Sequence, residues 1–312
     1  MRVQPSAFVV SITPFADDGS FDEGRVRAHL GRLREAGIGA YLGGGGSGEG
    51  YVLDAEETTR LLRIGVEELQ GTVPVRAMGV EPRTAEEMIR FVGLARATGV
   101  DATQIYSLDQ GHGHRPSTVE MRRYFEEVLA STDLPAVLST HQSVGYRVPV
   151  DMLIDLAGRY EHLIGVNFSH QDMAYLADVI DAVGDRLEIH VGGPHHALTA
   201  WALGATGFLT SEANLIPKTC SQMVTAYAHG DAATLFRSFG SVFRLSTALY
   251  GAGGIRATKA VLGEFGHPGG PPRPPQLPAD PGAVARLVAQ VESLDLADRL
   301  ERAEFLGGKV RA

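Results

Sequence analysis

Lysine is nearly missing from this 312-residue chain: Lys218, Lys259 and Lys309 are all it has, and none precedes residue 218. An amine nucleophile in the first two thirds of the chain is thereby excluded. The 28 basic residues less three lysines leave 25 arginines. Gene base composition produces such a bias equally well, so the scarcity alone carries no function. The single cysteine, Cys220, excludes an intrachain disulfide and fits a reducing compartment. There is no apolar run of membrane-spanning length, and no charged n-region followed by an apolar core at the N-terminus. The expected location is cytoplasmic, without a membrane partner. A net charge of −9 argues against nucleic acid as a partner.

What is present is ordinary globular material, 44% hydrophobic and 21% charged. Short apolar runs recur and read as strands: 7–12, 40–42, 75–78, 102–106, 136–139, 163–167, 187–191 and 207–210. Helical patterns of three to four turns lie between them, the length a parallel crossover needs. Asp22–Ala36 carries Val26, Leu30 and Leu33 at helical spacing. Asp54 caps an acidic first turn, and Thr84 with Glu87 forms a capping box. Helices are also expected over 119–130, 150–158 and 171–183. Eight such units predict a (β/α)8 barrel; a doubly wound open sheet is the alternative. After about residue 230 the alternation stops, and 231–250, 255–265 and 281–303 read as helices only. The expected division is therefore a barrel over 1–229 and a C-terminal helical appendage over 230–312. The segment His267-Pro268-Gly269-Gly270-Pro271-Pro272-Arg273-Pro274-Pro275 reads as a rigid spacer between helices. Lys259 and Lys218 each fall on a helix, where a surface lysine is solvated, protonated and a poor nucleophile.

Two motifs stand at predicted strand ends. One is the loop Gly43-Gly44-Gly45-Gly46-Ser47-Gly48-Glu49 after the second strand. The other is Leu163-Ile164-Gly165-Val166-Asn167-Phe168-Ser169. With their spacing and the C-terminal helices, they resemble the dihydrodipicolinate synthase / N-acetylneuraminate lyase family of barrel aldolases over nearly the whole chain. In that family the loop reads roughly Gly-Thr-Thr-Gly-Glu and holds a 2-oxo acid carboxylate. A lysine at the end of the sixth strand forms a Schiff base with the substrate ketone. The resemblance implies a lyase on a small oxo acid, organised as a homo-oligomer, a dimer or tetramer. It matches the loop hydroxyl residues to Gly46 and Ser47, the motif glutamate to Glu49, and the lysine to Asn167. An amide cannot form an imine, because its nitrogen lone pair is delocalised. The family's proton-shuttling tyrosine matches Ser139. A second relay tyrosine falls near Leu108, with Tyr106 out of register.

Polar residues and histidines stand where the imine apparatus is lost. Of eleven histidines, His112, His114, His141, His170, His190, His195 and His196 fall near strand ends, and Glu81 and Glu212 join them. Imidazole titrates near neutrality and serves as general acid or base. No His-x3-His spacing occurs, so neither a metal nor another cofactor is expected. The catalytic candidates are Asn167, His141 and Ser139. The substrate-binding candidates are Gly46, Ser47, Glu49, His170 and His195, with Glu49 equally readable as a residue that ties the loop down. The partner expected is a small carboxylate, turned over without a Schiff base. A catalytically inactive relative that binds a carboxylate or a partner subunit is the other reading.

Overall fold

The computed structural model describes residues 4–141, 144–294 and 301. Eight parallel strands close into a barrel in sequence order. They are β1 (Ser6–Val10), β2 (Gly39–Leu42), β3 (Val75–Ala77), β4 (Ala102–Ile105), β5 (Ala136–His141), β6 (Leu163–Ser169), β7 (Glu188–Gly192) and β8 (Gly207–Thr210). The helices that return the chain are α1 (Glu23–Glu35), α2 (Ala55–Leu69), α3 (Ala85–Thr98), α4 (Thr118–Ala130), α5 (Val150–Arg159), α6 (Met173–Val183), α7 (Ala197–Leu203) and α8 (Pro217–His229). Beyond them lie α9 (Ala232–Gly251), α10 (Ile255–Glu264) and α11 (Pro281–Ser293). The expected barrel with C-terminal helices is thus the fold observed. The predicted continuation of the last helix over 295–303 lies outside the described residues, apart from Glu301. No described helix is long and apolar enough to cross a membrane.

Local chemistry sets the helix starts. Asp54 and Glu57 form a reciprocal capping box at α2, and Ser117 and Glu120 do the same at α4. The box expected at Thr84 is only half made. The Thr84 hydroxyl accepts from the Glu87 N–H, but the Glu87 carboxylate reaches back to the Arg83 N–H instead of Thr84. Outward strand faces, such as Val9, Leu42, Leu138 and Val166, are buried in the shared core. Each such side chain contributes about 1.5–3 kcal/mol by leaving water.

The lower barrel interior is polar and mostly paired, with Arg76 Nε and His190 Nδ1 left without a hydrogen-bond partner among the described residues. Arg76 reaches Glu188 at 2.9 Å and the Tyr41 hydroxyl at 3.2 Å, and its guanidinium lies 4.2 Å from the Phe8 ring centre. The wholly buried His190 meets the Ser6 hydroxyl at 2.8 Å. Above this layer the strand register places Ser139 beside Asn167, and Asn167 beside His190.

Candidate active site

The strands' C-terminal ends open into a cavity of about 740 Å³, where barrels of this kind carry their chemistry. Its lining brings together Gly46, Ser47, Ser139, His141, Asn167, His170 and His195. Seven of the eight candidate residues therefore share one cavity. The eighth, Glu49, does not line it. Its carboxylate is fully buried and turned away onto Lys259. His112 and His114 also lie off the cavity, and His190 sits in the interior below it. Glu212 is buried and occupied by the Thr210 hydroxyl at 2.7 Å and the Ser211 N–H at 3.1 Å.

The glycine loop folds back on itself: Gly50 N–H donates to Gly44 O, and Gly45 N–H donates to Gly79 O. Among the described residues, the N–H groups of Gly46 and Ser47 donate to nothing. A Cβ at Gly46 would meet nothing within 4 Å. Open space and two unspent backbone donors suit the close approach of an anion.

Across the barrel, the Asn167 Nδ2 donates to Gln104 Oε1, and the Asn167 Oδ1 has no partner among the described residues. Asn167 is 1% exposed, and an unpaired buried acceptor costs about 1–3 kcal/mol until a donor reaches it. Gln104 was not anticipated from the sequence. Nor was Tyr106, which lies on the cavity wall. Burial, with Glu81 adding, pushes the Tyr106 phenol far above its ordinary range.

The imidazoles occupy the rim. His141 Nδ1 stands 3.5 Å from Glu81 Oε1, at the edge of an ionic contact. Burial lowers the His170 pKa, with the positive field of Arg147 adding to it, so its ring is neutral near pH 7 and able to accept a proton. His196 is lowered likewise by burial and then by His195. The His195 ring packs edge-on against Phe243, centroids 4.6 Å apart, and Tyr250 of α9 completes that wall. The C-terminal helices thus supply part of the cavity. Among the described residues, no group of three His, Cys, Asp or Glu side chains has a metal-binding arrangement.

Neither Lys218 nor Lys259 lines the cavity, and Lys309 lies outside the described residues. Lys259 departs from the solvated surface lysine expected. Its side chain is fully buried and ion-paired with Glu49. Burial draws its pKa below the ordinary lysine value, against the opposing pull of that carboxylate. The segment 267–275 is no plain spacer either. Arg273 makes a two-armed pair with Glu57 at 2.6 and 2.7 Å and reaches the carbonyls of Gly19 and Val52.

A sequence model of the dihydrodipicolinate synthetase family matches residues 5–294. The 4-hydroxy-tetrahydrodipicolinate synthase of Pelobacter propionicus is 26% identical over 247 residues, covering 78% of this chain and 82% of that protein. The enzyme of the same name from Methanothrix thermoacetophila is 28% identical, covering 72% and 74%. Dihydrodipicolinate synthase from Bacillus anthracis superposes with a TM-score of 0.85 at 23% identity, covering 94% and 99%. So does YagE, a prophage protein of the dihydrodipicolinic acid synthase family from E. coli K12 solved in complex with pyruvate, with a TM-score of 0.85 at 23% identity and covering 94% and 99%.

Proposed function

The chain belongs to the dihydrodipicolinate synthetase family, and from that premise we propose that it is a lyase of the aldolase or dehydratase type, acting on a small 2-oxo acid or related carboxylate without a lysine imine. The observation that carries this reading is the lining of the cavity. Amide, hydroxyl and imidazole groups converge there, and no described lysine does. The synthase names of the relatives, and the pyruvate bound to the E. coli prophage protein, support a small oxo acid as the substrate class.

Each group then has a role its chemistry allows. The free N–H groups of Gly46 and Ser47 hold the carboxylate. Asn167, oriented by Gln104, hydrogen-bonds the carbonyl or hydroxyl oxygen where the covalent lysine would otherwise act. Ser139, its neighbour in register, adds a hydroxyl that both donates and accepts. His141, next to Glu81, transfers the proton, and the neutral His170 offers a second base. The exposed Phe236 and Phe243 of α9 fit the homo-oligomer that belongs to the same proposal.

The test is turnover, once a panel of 2-oxo and hydroxy acids has yielded a substrate. Asn167→Ala is expected to raise the barrier by about 2.7–4 kcal/mol, as loss of one oxyanion donor does. His141→Ala is expected to slow turnover by a factor of about 100 to 10,000. Circular dichroism is expected to stay unchanged for both. Full activity in both variants would refute the assignment. Carboxylate binding without turnover of any acid tried would favour the ligand-binding relative.

A further inference from the structure

The glycine loop that faces the cavity is not held by the barrel alone. Glu49 follows Ser47 by two residues and has a left-handed backbone, φ 52°. A residue with a Cβ is held there only when its surroundings over-determine it. The hydrogen-bond partners of the Glu49 carboxylate come from the C-terminal appendage. Its Oε2 meets the Lys259 ammonium of α10, and its Oε1 accepts from the Arg273 N–H at 3.1 Å. Lys259 also donates to Pro271 O at 3.2 Å. Both cations lie over one face-forming residue, Phe15, with Lys259 Nζ 4.4 Å and Arg273 Cζ 4.1 Å from its ring centre. Gly269 and Gly270 pack too tightly for side chains: a Cβ at Gly269 would sit 2.0 Å from Lys259 O, and one at Gly270 2.3 Å from Phe15 O. From the barrel side, the Thr13 hydroxyl donates to Gly48 O at 2.7 Å and the Gly45 N–H donates to Gly79 O at 3.0 Å.

We propose that Lys259 and Arg273 are positioning residues for the carboxylate site, acting through Glu49 to fix where the N–H groups of Gly46 and Ser47 point. The inference rests on the carboxylate reading above. Glu49 is wholly removed from the cavity, so neither it nor its cations touch the ligand. The appendage is then part of the binding machinery, and the lysine the fold retains orients donors instead of forming a bond.

Pyruvate is the probe, titrated into the full chain by calorimetry. Urea unfolding and amide hydrogen exchange over 44–48 are followed in parallel. Lys259→Met strands a buried carboxylate and lowers stability, so the second variant is Glu49→Gln/Lys259→Met, which removes both charges. Both are expected to weaken pyruvate binding about tenfold or more, because small misplacements of a binding group are costly. Both are also expected to exchange faster over 44–48, while the double variant regains most of the lost urea midpoint. A purely structural role would instead bring affinity back with the midpoint, which would overturn the proposal. So would pyruvate affinity within about twofold of wild type in Lys259→Met, and that outcome leaves the carboxylate reading intact. A wild-type chain with no saturable pyruvate binding would remove the carboxylate reading and this inference together.

Discussion

Stability of this fold is expected to fall steeply as pH drops from about 6.5 to about 5, because two imidazoles are buried neutral. His29 lies on α1, wholly buried, with Nε2 3.0 Å from the Asn214 Oδ1. Asn214 also receives the Ile12 N–H and donates to Val10 O and Ser211 O, so it joins the ends of β1 and β8 beside the cavity. His190 lies inside the barrel with Arg76 nearby. Burial first, and then neighbouring arginine charge, lowers both to about 3 from an ordinary 6.5. A depressed basic pKa leaves the folded state unprotonated while the unfolded chain takes up protons below 6.5. Stability is therefore intact above that value and is lost progressively down to about 3. Each histidine costs about 1.4 kcal/mol per pH unit inside this window, hence about 2 kcal/mol at pH 5. Together they remove about 4 kcal/mol, a large share of the 5–15 kcal/mol typical of a folded domain. Urea unfolding at a series of pH values measures this directly. His190→Gln is expected to remove roughly half of the slope. A urea midpoint that stays level between pH 7.5 and 5 would refute the reasoning.

Two further outcomes follow from the cavity. Gln104→Leu releases the Asn167 amide from its orienting acceptor, so kcat is expected to fall while the KM set by the carboxylate contacts changes little; a pure KM effect would place Gln104 in ground-state binding instead. Asn167→Lys puts an amine where the family's imine forms, and borohydride reduction with pyruvate is expected to trap an adduct at residue 167. Its absence would mean that the cavity does not hold a ketone carbon against that position.

Much of the fold is legible in the sequence because each barrel strand is a short apolar run between capping or turn residues. β8 coincides with its predicted limits, and the others differ by one or two residues at one or both ends. The convergence of Ser139 and Asn167 is legible for the same reason, since strand ends fix which side chains reach the top of a barrel. Gln104 and Tyr106 carry a usable signal in the sequence. Their spacing of two puts both on the inner face of the β4 end. Lys259 and Tyr250 carry none. Helical periodicity identifies a helix and its apolar stripe, but not a partner 210 residues away. The strap is not legible as such, because a run rich in proline and glycine looks alike in a solvated spacer and in a tightly packed one. What separates them is the close backbone approach at Gly269 and Gly270, which only the fold reveals.

The central claim is that the site works without a covalent lysine, and borohydride trapping tests it most directly. The wild-type protein is incubated with pyruvate, and with its own oxo acid once known, then reduced, weighed intact and mapped by peptide. The account predicts an unchanged mass. A reduced adduct on Lys218, Lys259 or Lys309 would contradict it.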